Sequence, residues 1–273
     1  MKVYKSIDDA VVAATRDIMH YGAVSEPRGK RIKELIGQSI SYDMRYPLLT
    51  KPSREIGYRF YAAEAYWILT GRNDMAFWHD MKMPFIWEFS DDGFYYSGAY
   101  GPRIVDQLTY VCDVLAEDPD TRQAVIEVWR PNPRPSRDIP CTLSFQFLAR
   151  GSRLHCVQSM RSSDVWLGYP YDAFNAAMLT TLVILMLKSR KAKGRKNLDV
   201  GTHTVVVGSQ HLYETNWEKA MALLADKVEL WYEPLSAHDF RDPEYFLSYL
   251  YAAAKSPDGV HPKAWNSHET SES

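Results

Sequence analysis

The chain has 273 residues, with 32 Lys and Arg against 34 Asp and Glu, and a formal charge of −2 at neutral pH. A balance so close to neutral creates no field that would gather a long polyanion or an anionic membrane, and both are excluded as expected partners. Hydrophobic residues at 46% and charged residues at 24% exclude wholesale disorder. Cys112, Cys141 and Cys156 are too few and too scattered for a disulfide framework or a zinc site, which points to a reducing compartment.

The N-terminus lacks the apolar core and small-residue cleavage site of a signal peptide. It predicts an amphipathic helix over Ile7 to Met19, in a protein expected in the cytoplasm. Residues 29–44 alternate in places like a strand. Residues 55–71 have helical spacing, with Gly71 as the stop. Residues 106–122 predict a helix ending at the turn Asp118-Pro119-Asp120. Residues 123–129, 142–150 and 153–161 are strand-like runs, the last two joined by a hairpin turn over Arg150-Gly151-Ser152-Arg153. The stretch 173–187 is the most apolar. Asn175, Thr180 and Thr181 interrupt it, and it is shorter than the roughly 20 residues a bilayer needs. It predicts a helix over Ala173 to Lys188, buried on most sides. The basic segment 188–196 stands alone and reads as a solvated loop, followed by a strand over 202–208. Helices and strands interleave without repeats or a Gly/Ser linker. The prediction is one α/β (α+β) domain over residues 1–255, with a mixed sheet and a buried central helix, and a polar tail over 256–273.

Several residues invite a chemical reading beside a structural one. Cys141 follows Pro140 at the mouth of a strand, where a side chain can face a cavity. It is either a packing cysteine or a nucleophile, while Cys112 and Cys156 lie inside apolar patterns and read as packing. Arg161, in a loop-like segment, could supply the cation that lowers a thiol pKa. Arg161, Ser162 and Ser163 gather one cation and two hydroxyls, a set suited to a phosphate. Asp164 and Asp172 bracket the turn Gly168-Tyr169-Pro170-Tyr171. Asp172 is either the N-cap of the following helix or the reader of a base edge. A carboxylate accepts hydrogen bonds, so it suits the amine and protonated ring nitrogen of cytosine, whereas an amide suits uracil. Glu64 is either the solvated edge of its helix or a buried carboxyl tuned for acid/base work near neutral pH. Trp87 and Tyr100 are core aromatics or ligand platforms. His211 and Tyr213, two apart on an extended run, would share a face and could bond a sugar hydroxyl or each other.

Taken in order, Gly98-Ala99-Tyr100-Gly101, residues 106–122, Ile139-Pro140-Cys141, residues 160–172 and residues 208–213 resemble the motifs of the thymidylate synthase family. The resemblance runs from about Gly29 to Tyr213. It implies an α/β homodimer whose two active sites borrow residues across the interface. By the resemblance Cys141 is the nucleophile, Glu64 organises water and proton transfer, and Tyr100 stands near the nucleophile. Trp87, Asp164 and Gly168 are on the folate side. Arg161 and Ser162, with Ser163 beside them, bind phosphate; Arg122 reaches into the partner's site; His211 and Tyr213 clamp the sugar. Arg28 is chosen for the N-terminal arginine over Lys30 and Arg31. Gln123 replaces a second arginine.

Two departures set the subtype. Asp172 stands where the synthases have Asn, and Thr142 where they have His after the nucleophile. Both resemble the deoxycytidylate hydroxymethylases of the family, whose relatives include enzymes acting on CMP. The implied reaction converts dCMP or CMP to its 5-hydroxymethyl form with 5,10-methylenetetrahydrofolate and water, through a Cys141 adduct at ring carbon 6 and without a metal. Reductive methylation, with hydride from the folate, is the alternative. A protein encoded by a phage would act in the host cytoplasm. A non-catalytic nucleotide- or RNA-binding homologue would show a lost nucleophile or a basic stripe, and Cys141 and Glu64 are both in place.

Overall fold

Helix α1 (Ile7–Tyr21) opens where Ser6 accepts a hydrogen bond from the Asp9 N–H at 3.3 Å, with Asp8 and Asp9 at the positive end of the helix dipole. Its Ile7, Val11, Ala14 and Ile18 are buried at helical spacing. The structure is a computed structural model that describes residues 2–192, 196–227 and 232–262. The further elements are β1 (Val3–Tyr4), β2 (Ala23–Ser25), β3 (Ile32–Asp43), α2 (Tyr58–Leu69), α3 (Ala76–Asp80), α4 (Tyr100–Glu117), β4 (Val125–Glu127), β5 (Thr142–Arg150), β6 (Arg153–Asp164), α5 (Tyr169–Ser189), β7 (Asp199–Tyr213), α6 (Trp217–Leu223) and α7 (Pro243–Lys255).

The strands form one seven-stranded sheet in the order β1-β3-β7-β6-β5-β4, with β2 added on β3. It is mixed, as expected: β1 pairs with β3, and β6 with β7, in parallel, and the other pairs are antiparallel. The β5–β6 hairpin turns at Gly151, whose φ of +57° only glycine adopts without cost. Gly71, at φ +73°, follows the end of α2 as predicted.

Helix α5 packs on β6 and β7 and against α1, α2, α4 and α7, which is why its sequence is apolar all round. It differs from the expectation in three ways. It begins at Tyr169, because Pro170 occupies the first turn, where a missing N–H costs nothing. At 21 residues it is long enough for a bilayer, so length does not exclude a span; 78% of its apolar window is nevertheless buried inside the protein. Gly168, not Asp172, is the N-cap, and Asp172 lies within the first turn.

Other boundaries also move. Residues 161–164, read as loop-like, continue β6; α4 starts at Tyr100; β7 spans 15 residues; and the run 123–129 yields only a three-residue β4. Pairing with a neighbour extends strands beyond what local pattern announces. Residues 193–195 of the basic segment and 263–273 of the tail lie outside the described residues.

Candidate active site

A cavity of about 600 Å³ opens between α2, the start of α4, the loop before β5 and the first turns of α5. Phe60, Trp67 and Trp78 give it an aromatic wall, and Glu64, Asp138, Asp172 and Asn175 supply its polar groups. The walls approach closely at Gly98. A Cβ there would sit 2.4 Å from the Asp138 carbonyl oxygen, and the Gly98 N–H donates to the Asp138 carboxyl at 2.7 Å.

Cys141 stands at the entrance to β5, half-buried. The N–H groups of Cys141 and Thr142 donate to the Tyr100 phenol oxygen at 3.2 and 3.0 Å, which fixes the loop carrying the thiol. Arg161 donates to the carbonyls of Pro140 and Ile139 at 2.8 and 3.0 Å, and its Nη2 lies 3.7 Å from Cys141 Sγ. The pairing of cation and thiol agrees with the sequence reading; its net effect does not. Burial pushes the thiol above its ordinary value, Asp172 and Asp138 add to the rise, and Arg161 and Arg28 only offset part of it. The resting group is a thiol, and ionisation needs a further positive charge or a proton acceptor.

Glu64, Glu88, Asp138 and Asp172 line the cavity as carboxyls, and Glu64 and Asp172 act on each other. Burial raises Glu64 to about 7 against a hydrogen bond that favours its charged form, from Asn175 Nδ2 to Oε2 at 2.7 Å. Asp172 is pushed well above the carboxylate range by burial and by the neighbouring Glu64, and among the described residues no group donates to its carboxyl. The solvated-edge reading of Glu64 and the N-cap reading of Asp172 therefore both fall.

Along the adjoining ends of β6 and β7, Asp164 pairs laterally with His211 and Ser162 with Ser209. Asp164 Oδ1 accepts from the N–H groups of Trp166 and Leu167 at 2.8 and 3.0 Å, whereas its Oδ2 is buried without a partner. His211 is 7% exposed and meets the Tyr213 ring edge-on at 5.2 Å, so the two do share a face. Ser162 and Ser163 point to opposite sides of the strand, and the Ser163 hydroxyl is buried without a partner. Gly168 lines the cavity, 3.5 Å from Asp172 Oδ2 to its would-be Cβ.

Among the three N-terminal cations, Arg28 bears on the Cys141 thiol, Arg31 pairs with Glu214 at 2.5 Å, and Lys30 lies over the Tyr213 ring. Of the expected residues Glu64, Tyr100, Gly168 and Asp172 line the cavity, whereas Cys141, Arg161, Asp164, His211, Tyr213, Trp87 and Arg122 are not part of its lining. Trp87 is exposed and stacks on His79 at 4.1 Å, outside the lining, because the short helical turn around it aims Ile86 and Phe89 inward instead. Arg122 lies exposed on the turn after α4, away from this chain's own cavity. Asn175, Asp138 and Arg54 line the cavity and were not singled out for chemistry. Asn175 had left a trace, as a polar break in the most apolar stretch. Among the described residues no cluster of His, Cys, Asp or Glu is arranged to hold a metal.

A family model described as thymidylate synthase matches residues 11–234, a span that contains every candidate residue from Arg28 to Tyr213. The chain belongs to the thymidylate synthase family. Within it, a deoxyuridylate hydroxymethyltransferase of Bacillus phage SP01 is 30% identical over 218 residues, covering 72% of this chain and 54% of that protein. The chain thus spans about half the length of this curated relative. The mixed sheet and buried central helix agree with membership, and α7 lies beyond the matched span.

Proposed function

We propose that the protein is a cytoplasmic pyrimidine nucleotide hydroxymethyltransferase that converts dCMP, or CMP, to the 5-hydroxymethyl nucleotide with 5,10-methylenetetrahydrofolate and water. The observation that carries this reading is Asp172, a carboxyl in the first turn of α5 facing the same cavity as Glu64 and beside the loop that holds the Cys141 thiol. Its protonated form offers an O–H to the bare ring nitrogen of cytosine and a carbonyl oxygen to the exocyclic amine.

In this reading Arg161 binds the phosphate, since its Nη1 carries no bond among the described residues. Ser162 and Arg28 join it, whereas the buried Ser163 hydroxyl points to the other side of the strand and would need that strand end to turn before it could reach the phosphate. His211 and Tyr213 hold the sugar. The arriving phosphate is anionic and opposes thiolate formation, so the proton must leave to an acceptor. Glu64, raised to about 7, is matched to receive it through ordered water. Cys141 then adds to ring carbon 6. Transfer of the Asp172 proton to the ring nitrogen as the thiolate adds neutralises the negative charge that would otherwise build on the ring, and leaves an aspartate ion that accepts from the new ring N–H and the exocyclic amine.

The aromatic wall of the cavity fits a flat pterin, with Tyr100 and Gly168 at its nucleotide edge; Asp164, whose Oδ2 is buried without a partner beside this region, is the carboxyl we assign to the folate side. The folate, when bound, supplies the one-carbon unit at the oxidation level of formaldehyde. Water access then selects hydroxymethylation over hydride transfer. We place the catalytic unit in residues 1–255 and the tail in 256–273. We further propose a homodimer that packs through the sheet face opposite α5, with Arg122 donated to the partner's site.

A second reading is favoured by the same proton. A protonated Asp172 can also donate to the O4 of uracil and accept from its ring N–H, and the phage relative is described as acting on deoxyuridylate. The variant Asp172→Asn separates them. The cytidylate reading expects kcat/KM for dCMP to fall by about 100-fold or more, the cost of unpaired buried polar groups, while dUMP is retained or gains. Equal loss on both bases, or native preference for dUMP, would contradict it.

A further inference from the structure

Asn175 lies three residues beyond Asp172 on α5, so the two side chains share one face of the helix. Its Nδ2 donates to Glu64 Oε2 at 2.7 Å, and its Oδ1 is buried without a partner. With one end of the amide fixed on Glu64, the other must face away from it. Sharing Ile68, Tyr100, Asp172 and Asn175 with the main cavity is a second, small one of about 10 Å³, room for the centre of one water. Asp172, Asn175, Tyr100 and Gln158 supply its polar lining. Gln158 is held at both ends, by Thr142 Oγ1 at 2.8 Å and His203 Nε2 at 2.9 Å. Tyr100 Oη accepts from the N–H groups of Cys141 and Thr142.

We propose that Asn175 is the positioning residue that assigns the cavity's proton: its amide donates to Glu64, keeping that carboxyl as the proton acceptor, and its Oδ1 accepts from the O–H left on Asp172. The Oδ1 contact runs directly or through one water in the small cavity. Two adjacent carboxyls in a dry site cannot both ionise cheaply. A device that breaks the symmetry between them gives one the role of base and the other that of base reader. Glu64 receives a donor from Asn175 and Asp172 receives none, and the asymmetry has the sign the reaction requires. Burial and the neighbouring Glu64 push Asp172 up with no donor to offset the rise, whereas Asn175 offsets part of the rise at Glu64.

Other groups bear on the pair from each side. Tyr100, at the start of α4, and Tyr169, on α5, are coupled to Asp172, as is Cys141 at the head of β5. Asp138 and Glu88 line the cavity as acids, and Arg54 as its cation. Arg54 spends its charge over the Trp166 and Tyr171 rings, at 5.3 and 5.9 Å. None of these donates to either carboxyl, which leaves Asn175 as the asymmetric contact among the described residues.

The inference rests on the proposed function for its purpose, and its test does not. Carbon-13 NMR on protein labelled at Asp and Glu carboxyls, with Glu64 and Asp172 assigned through Glu64→Gln and Asp172→Asn, reads both titrations without turnover. Asn175→Leu should raise the Glu64 titration by about one pH unit, the worth of one hydrogen bond to a charged group. Asn175→Ser, which is smaller and keeps a donor, should return most of that shift and covers the case in which the leucine variant does not fold. An unchanged Glu64 titration in the folded variants, or an Asp172 that ionises before Glu64 in the native protein, overturns the proposal. Release of tritium from carbon 5 of dCMP, measured in parallel, reports on the function alone, so the two can fail separately.

Discussion

Glu64 shows how much of a residue's role lies in its surroundings. The type and place of the residue were legible, in an aromatic helix ahead of the other motifs, but the value of about 7 comes from burial against rings that arrive from α3 and α5. An acid held above its ordinary value is protonated below that point and a base above it. We therefore expect kcat/KM for dCMP to rise with pH through about 7. Glu64→Gln should remove this limb and lower kcat/KM by about 100-fold or more. The same shift acts on folding. Its contribution is full below the unfolded value of 4.5 and is lost as pH rises through 7, so Glu64→Gln should melt higher than the native protein at pH 8. A native limb at the ordinary carboxylate value would contradict the burial argument. Cys141 taught the converse lesson, because Arg161 beside it was legible while the desolvation that outweighs Arg161 was not. For Trp87 the sequence offers the residue and its segment, while the direction of the ring, against His79, depends on packing.

At the scale of elements, helices were legible where an apolar stripe or a glycine stop marked them, as in α1 and α2, and strands less so. β6 and β7 run on to Asp164 and Tyr213 because each pairs with the other, a non-local condition that no window of sequence contains. That extension places Asp164 beside His211. The same strands have a second face. Val205 and Val207 are buried toward α5, whereas Val206 is 42% exposed on the opposite side, in register with Ser159 and Ser39. Around it Gln146, Val157 and Thr204 are only half-covered within one chain. A second copy of this sheet is the surface we propose to cover them. Val206→Lys should convert a dimer, measured by sedimentation, into a monomer with the fold intact and with activity lost along with the borrowed Arg122. A native protein that sediments as a monomer at micromolar concentration would refute this arrangement.

For the whole molecule, the ordered motifs forecast its family and mixed sheet. These were legible because they depend on order along the chain, not on distances. What was hidden is the local environment: a thiol raised by burial, two carboxyls raised by burial, and an asparagine that donates to one of them. The central claim is that these residues add a one-carbon unit and then water to carbon 5 of a cytidylate. The most direct measurement is to incubate the protein with dCMP or CMP and 5,10-methylenetetrahydrofolate and to weigh the nucleotide product. We predict a gain of CH2O with tetrahydrofolate released. A gain of CH2 with the absorbance of dihydrofolate, or no change in either nucleotide, would contradict it.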